Sequence, residues 1–431
     1  MKILVLGSGA REHAIVLALV SENAGHTVVA APGNAGIARD VETIALNASD
    51  PALVTEYATG NGFDLVVIGP EAPLVAGVAD ALRAAGVAVF GPDRAAAELE
   101  GSKTFAKRVM DAAAVPTGRA VRAETLADAR SALDEYGAPY VVKADGLAAG
   151  KGVLVTADRG AALDHAEHWL GHGAVLVEEF LDGQEVSLFL LSDGTTVSPL
   201  SPAQDYKRLL DGDAGPNTGG MGAYSPLPWL ADRFGSEDAF VDEVVETIAQ
   251  PVITQLAAEG TPFVGLLYAG LILTSTREHD ADNGIRVIEF NARFGDPETQ
   301  VVLPRLVTPL SELLFAAATG ALAGRPRPVF SEQAAVTVVL ASENYPDAPV
   351  TGRELLGLTA AEAVEGVHLA HAATAEQDAR LIATGGRVLN VVAVGDDFAA
   401  ARTRAYEALD AITLEGGQYR TDIAARVAGG R

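Results

Sequence analysis

The chain contains no cysteine. Disulfides, thiolate zinc sites and cysteine nucleophiles are therefore excluded. It also lacks an uncharged apolar run of about 18 residues, the length a membrane-spanning helix needs. The start, Met1-Lys-Ile-Leu-Val-Leu-Gly7, goes straight into a strand, without the longer apolar core and cleavage site of a signal peptide. Cations are in short supply: 31 Lys and Arg stand against 57 Asp and Glu, for a formal charge of −26. That balance disfavours nucleic acid and anionic membrane surfaces, yet leaves room for a local basic pocket that takes small anions. These absences predict a soluble cytoplasmic protein that binds neither nucleic acid nor membrane.

Two nucleotide signatures are missing as well. Gly7-Ser-Gly-Ala-Arg-Glu-His13 follows an apolar strand and opens a helical run, a ready phosphate site because helix N-terminal N–H groups point outward. The NAD fingerprint would have a third glycine where Glu12 stands and an acid closing the second strand, where Pro32 stands. The lysine- and glycine-rich segment from Lys143 to Gly152 lacks the order of a Walker A loop. A dinucleotide oxidoreductase is therefore the weakest reading.

What the chain does have is 431 residues, 49% of them apolar, enough for roughly two to four domains. Strands at Lys2 to Leu6, Thr27 to Ala31, Leu65 to Ile68 and Val87 to Phe90 alternate with helical segments, which predicts a doubly wound parallel sheet. One of those helices should carry Leu74, Val78 and Leu82 on a single face. The loops at 7–13, 32–36 and 69–73 all fall at carboxyl ends of strands, where open α/β sheets bind ligands. Tight turns alone could explain any one of them.

Further along, Tyr140 to Val155 reads as two β runs joined by a small-residue loop. Gly146, Gly150 and Gly152 let backbone N–H groups approach a phosphate, and Lys143 and Lys151 supply charge. Residues 213–226 hold too much glycine and proline for a core element, and loops of that length are usually functional. A helix is expected from about Ala239 to Leu256 and a strand from Val264 to Leu273.

The richest stretch is Val287-Ile-Glu-Phe-Asn-Ala-Arg-Phe-Gly-Asp-Pro-Glu298. Side chains alternate along a strand, so Glu289, Asn291 and Arg293 should project from one face. Two oxygen ligands suit a hard cation such as Mg²⁺, and the arginine suits phosphate or carboxylate charge. Beyond Gly324-Arg-Pro-Arg-Pro328, which reads as a linker, strands at Ala335 to Ala341 and Arg387 to Val394 and a helix at Phe398 to Ile412 form a small α+β unit. No catalytic constellation is visible in it. His368 and His371 lack a third ligand nearby and read as core or surface histidines.

Taken in order, these segments resemble a known family. They are Gly7-Ser-Gly-Ala-Arg-Glu-His13, Ala31-Pro-Gly-Asn-Ala-Gly36, Gly69-Pro-Glu-Ala-Pro-Leu74, Lys143-Ala-Asp-Gly-Leu-Ala-Ala-Gly-Lys-Gly152, Gly215-Pro-Asn-Thr-Gly-Gly-Met-Gly-Ala-Tyr-Ser-Pro226 and Arg293-Phe-Gly-Asp-Pro-Glu298. The chain resembles the phosphoribosylamine–glycine ligases (glycinamide ribonucleotide synthetases) of the ATP-grasp superfamily over essentially its whole length.

The resemblance implies an α/β and α+β multidomain fold. It comprises an N-terminal doubly wound domain at 1–101, an ATP-grasp core at 102–325 with a mobile lid at about 122–190, and a C-terminal α+β cap at 326–431. It implies ligation of glycine to 5-phosphoribosylamine with ATP and Mg²⁺ (or Mn²⁺), through glycyl phosphate, in purine biosynthesis.

The same resemblance distributes the roles. Lys103, Lys143, Gly150, Lys151 and Gly152 would hold the ATP phosphates. Glu178, Glu179 and Leu181 would form the adenine hinge, with Glu185 on the ribose. Glu289 and Asn291 would bind the metal, and Arg293 with Lys143 would serve catalysis. Gly9, Arg11, Glu12, Asn34, Glu71, Asp213, Asn217, Gly220, Met221 and Arg293 would hold the substrates. One departure is a short loop at 169–177, where the family usually carries a longer one beside the lid. Another ATP-grasp ligase with different substrates, or a nucleotide sensor without turnover, remains an alternative on the residues alone.

Overall fold

A computed structural model describes residues 1–146, 152–274 and 284–429. The N-terminal sheet has five parallel strands in the order Glu42–Thr43, Thr27–Pro32, Lys2–Gly7, Leu65–Ile68, Ala88–Phe90. Ile3 to Leu6 and Leu65 to Ile68 are buried on both faces, as a sheet covered by helices on both sides requires. The strand order reverses between Lys2–Gly7 and Leu65–Ile68. Their carboxyl ends open the crevice where the 7–13 and 69–73 loops lie side by side.

The local expectations need small corrections here. The short strand Glu42–Thr43 has no apolar pattern and escapes sequence reading. The helix carrying Leu74, Val78 and Leu82 is two helices, Glu71–Val75 and Val78–Ala84, broken at Gly77 (φ 84°). All three side chains are nonetheless buried.

The next unit is a four-stranded antiparallel sheet, Ala120–Ala123, Val175–Glu178, Tyr140–Ala144 and Val153–Thr156, in that order. Helices Leu126–Tyr136 and Arg159–Leu170 cover it. It encloses a small core of its own, with Ala129, Leu133, Val142, Val175 and Val177. The central sheet runs Val197–Pro199, Gly183–Asp193, Val264–Thr274, Ile285–Asn291, all antiparallel. The helical run Glu237–Ala258 passes through a π turn at Val245–Ala249 just before Pro251, whose missing N–H could not continue a regular ladder.

The last large sheet joins distant parts of the chain. Its order is Gln204–Asp205, Gly222–Ser225, Ala334–Ala341, Arg387–Gly395, Val367–His371. One of its strands, Gly222–Ser225, thus comes from the segment expected to be an irregular loop outside the core. That expectation is overturned: Met221, Ala223 and Ser225 are fully buried. Gly222 permits the close pairing, because a Cβ there would stand 2.7 Å from the Thr337 carbonyl oxygen. No helix among the described residues is long and apolar enough to cross a membrane.

Candidate active site

A cavity of about 860 Å³ lies where the N-terminal, central and C-terminal sheets meet. The strand Ile285–Asn291 supplies its floor. Pairing with Val264–Thr274 shifts register at Gly270/Leu271, so Ile288 is an extra, bulged residue immediately before Glu289. Bulges re-aim side chains beside active sites. Here Glu289, Asn291 and Arg293 all line the cavity, and the freed Ile288 carbonyl accepts from Lys143 Nζ at 3.3 Å.

Arg293 is the most heavily anchored of the three. Its Nη2 lies 3.0 Å from Glu100 Oε1 and donates to Asn291 Oδ1 at 3.2 Å, and its Nε lies 3.8 Å from Glu71 Oε2. Burial pulls its pKa down, but Glu100 and Glu71 outweigh that and raise it, so the guanidinium stays charged. The two carboxyls shift oppositely. Burial raises Glu100, the deeper of the pair, whereas for Glu71 the pull of Arg293 and other donors outweighs burial and lowers it. Burial also works to raise Glu289, but Lys207, Lys143 and Lys103 more than offset it and hold the carboxyl low. An ionised carboxylate and an amide oxygen on one strand end, facing several lysines, fit a hard cation that shares its coordination with phosphates.

Opposite the strand stands the cationic wall. Lys143 Nζ pairs with Glu178 Oε2 at 2.9 Å, and both are buried. Lys107 lies 3.6 Å from the other Glu178 oxygen and also lines the cavity. Lys103, at the start of helix Lys103–Ala112, donates to the Gly146 carbonyl at 3.2 Å. Burial lowers the pKa of both Lys103 and Lys107, with Glu289 and Glu178 respectively opposing. Asp145 ties the hairpin to that helix, accepting from Ser102 Oγ, Thr104 N and Thr104 Oγ1.

At the N-terminal end, Glu12 occupies the glycine turn itself. Its Oε2 accepts from Gly9 N at 2.6 Å and its Oε1 from Arg11 Nε at 2.5 Å. A Cβ on Gly7 or Gly69 would come within 2.4 or 2.2 Å of this side chain. The anion seat of the helix N-terminus is therefore filled by the chain's own carboxylate, which explains why no dinucleotide signature accompanies the turn.

Of the residues singled out in the sequence, Gly9, Arg11, Glu12, Glu71, Lys103, Lys143, Gly152, Glu178, Glu289, Asn291 and Arg293 line this cavity. The others stand elsewhere. Asn34 caps the turn to Ile37 and donates to the Ser8 and His371 carbonyls. Glu179 pairs with Arg119, Glu185 with Lys207 at 2.5 Å, and Asp213 with Arg420. Leu181 lies beside Gly118. Asn217 pairs with Arg208 across a hairpin, Gly220 abuts Pro297, and the Met221 side chain is core. Gly150 and Lys151 lie outside the described residues.

Sequence reasoning missed Glu100, Lys107, Asp205, Lys207, Tyr268, Asp296, Glu298, Tyr345 and Arg387, all of which line the cavity. Tyr345 and Arg387 bring the C-terminal unit, in which no catalytic constellation is visible from sequence, to the wall of the cavity. Arg387 Nη1 donates to the carbonyls of Gly219 and Asp296, and Tyr345 Oη accepts from Gly219 N. Asp296 and Glu298 sit inside the Arg293 to Glu298 segment, where proximity to Arg293 was an available signal. Among the described residues no group of three or more His, Cys, Asp or Glu, around His368 and His371 or elsewhere, is arranged to hold a metal ion.

Models of the phosphoribosylglycinamide synthetase N, ATP-grasp and C domains match residues 1–100, 101–299 and 335–426. The chain belongs to the phosphoribosylglycinamide synthetase family. Within that family it is 71% identical to the phosphoribosylamine–glycine ligase of Leifsonia xyli, over 99% of this chain and all of that one. It is 56% identical to the Streptomyces coelicolor enzyme of the same name over the full length of both. The crystal structure of the Thermotoga maritima phosphoribosylamine–glycine ligase superposes with a TM-score of 0.80 at 33% identity, covering 98% of this chain and all of that one. The family is the one the sequence motifs resemble, and as ATP-grasp enzymes its members use ATP and a divalent metal.

Proposed function

We propose that this chain catalyses the reaction its family is named for. Glycine is ligated to 5-phosphoribosylamine at the expense of ATP, giving glycinamide ribonucleotide, ADP and phosphate in purine biosynthesis. We further propose that the reaction passes through glycyl phosphate in the cavity described above. The observation that carries this reading is the row Glu289, Asn291, Arg293 facing Lys103 and Lys143 across one cavity.

A glycine carboxylate oxygen attacks the γ-phosphorus of ATP, and ADP leaves. Such transfers depend on positioning and charge neutralisation more than on a base. Lys103 and Lys143 take the phosphates. Glu289 and Asn291 would hold Mg²⁺ or Mn²⁺, which supplies further neutralisation of phosphate charge. The amine of phosphoribosylamine then attacks the glycyl carbonyl carbon, phosphate leaves, and the new amide nitrogen loses a proton. Arg293, fixed by Glu71 and Glu100, meets the negative charge that develops on that carbonyl oxygen. The sheet and two helices of 120–178 supply the lid, whose small separate core supports movement as a unit. The reading places the protein in the cytoplasm as a monomer or weak homo-oligomer.

ADP release is measured with Mg–ATP, glycine and phosphoribosylamine generated in place, omitting each in turn. The expected result is ADP only when both glycine and the amine are present, with glycinamide ribonucleotide seen by mass. ATP binding without ADP formation would sink the reading and favour a nucleotide sensor or another acceptor.

A further inference from the structure

Asp205 is a buried acid at this site to which the fold supplies no donor among the described residues. It lies on the short strand Gln204–Asp205, held in register against Ala223 of the buried strand Gly222–Ser225. Its side chain is 6% exposed and lines the cavity. Among the described residues no hydrogen bond reaches its carboxylate. The nearest cation, Lys207 Nζ, is 3.9 Å away and is committed to Glu185 at 2.5 Å. Its other charged neighbours are Glu185, Glu289 and Glu298. Glu298 by contrast is satisfied, accepting from Tyr268 Oη at 2.7 Å and Ser187 Oγ at 3.2 Å. A buried carboxylate without donors is costly, and a ligand that brings a cation with N–H groups relieves it.

We propose that the Asp205 carboxylate receives the α-ammonium group of the glycine substrate. This rests on the reaction proposed above. Of the three substrates, only glycine carries a cationic nitrogen throughout its first step, since its carboxylate attacks while its ammonium is a spectator. The amine of phosphoribosylamine must be neutral to attack and needs no buried counter-charge. ATP brings only anionic and neutral groups. Glycine's two charged ends then match the cavity: carboxylate toward Arg293 and the lysines, ammonium toward Asp205. The pairing also gives a basis for selecting amino acids over hydroxy acids of the same size, because a hydroxyl would leave the Asp205 charge uncompensated.

The test is steady-state ADP release by Asp205→Asn, which keeps the shape and removes the charge. The expected result is a KM for glycine raised on the order of a hundredfold, as for losing one partner of a buried charge pair. The KM values for ATP and phosphoribosylamine stay within about twofold of wild type. An unchanged glycine KM, or a rise in one of the other two instead, overturns the assignment. Wild-type protein gives an independent readout should the variant fail to fold. Glycolate should be a substrate at least about a hundredfold poorer than glycine by kcat/KM, and equal use of the two overturns the proposal. If wild type shows no glycine-dependent ADP at all, the reaction itself is wrong and the subsite falls with it. Glycine-dependent ADP with an indifferent Asp205→Asn leaves the reaction standing and removes only the subsite.

Discussion

Arg293 is a buried cation whose position depends on two carboxylates. Removing it outright would leave Glu100 buried without its partner, a loss on the order of 3–5 kcal/mol in stability. Arg293→Lys separates function from folding better, since charge is kept and the planar fork is lost. We expect kcat to fall roughly a hundredfold in that variant, the scale seen when one donor to a developing oxyanion is removed. Single-turnover kinetics check this, and undiminished turnover would remove the role. At Glu289, the Gln variant keeps an oxygen but loses the charge that the surrounding lysines hold in place. The half-saturating Mg²⁺ concentration should rise at least about tenfold. A titration of activity against Mg²⁺ reads it directly, and an unmoved midpoint would strike out the metal assignment.

Glu289 and Asn291 were legible in the sequence because strand alternation puts them on one face, and Arg293, two residues past the strand's end at Asn291, still reaches the same cavity. Glu100, Asp205 and Arg387 were not legible, since each reaches the cavity only through tertiary contacts.

At the scale of elements, glycine content misled wherever a partner strand lay far away in the sequence. Gly222–Ser225 looks like loop because nothing local shows that Ala334–Ala341 will pair with it. The bulge at Ile288 is equally silent, since apolar residues flank it on both sides. Gly220 sits between these elements with φ 107°, and a Cβ there would stand 2.4 Å from Pro297 Cδ. Gly220→Ala must therefore shift the turn that carries Asp296 and the chain leading to Arg293. We expect a stability loss of about 1–3 kcal/mol from strain at a position reserved for glycine, together with reduced kcat/KM. Urea unfolding and steady-state kinetics measure the two effects. A fully stable, fully active variant would show that the turn tolerates the displacement.

Across the whole molecule, the alternating strands and helices of the first hundred residues made the parallel sheet readable, and the family motifs carried the rest. What no local pattern could show is how the C-terminal strands close onto both other units. One seam runs through His371. Its N–H donates to His13 Nδ1 at 2.8 Å, its Nδ1 meets Thr374 Oγ1 at 3.0 Å, and its Nε2 is buried with no partner among the described residues. Burial, with the His13 ring beside it, pushes the His371 pKa down to about 3 from an ordinary 6.5. The folded protein keeps this ring neutral while the unfolded chain takes up a proton below 6.5. Stability from this group is therefore whole above pH 6.5 and is lost progressively as pH falls toward 3, about 2 kcal/mol being gone at pH 5. His371→Asn should lose that much less between pH 7 and pH 5 in chemical denaturation. Equal losses in the two proteins would place the acid sensitivity elsewhere.

The sheet that joins Gly222–Ser225 to Ala334–Ala341 also sets a timetable. A ribosome finishes the first of these strands long before it makes the second. At about 5–20 residues per second, the interval from Ser225 to Ala335 is on the order of ten seconds. During that interval Met221 to Ser225, which end fully or almost fully buried, must wait with an unpaired edge. The nascent chain is thus most exposed to misassociation while its N-terminal sheet is already complete. Slowing translation between these two strands should harm yield more than slowing it anywhere in the first hundred codons.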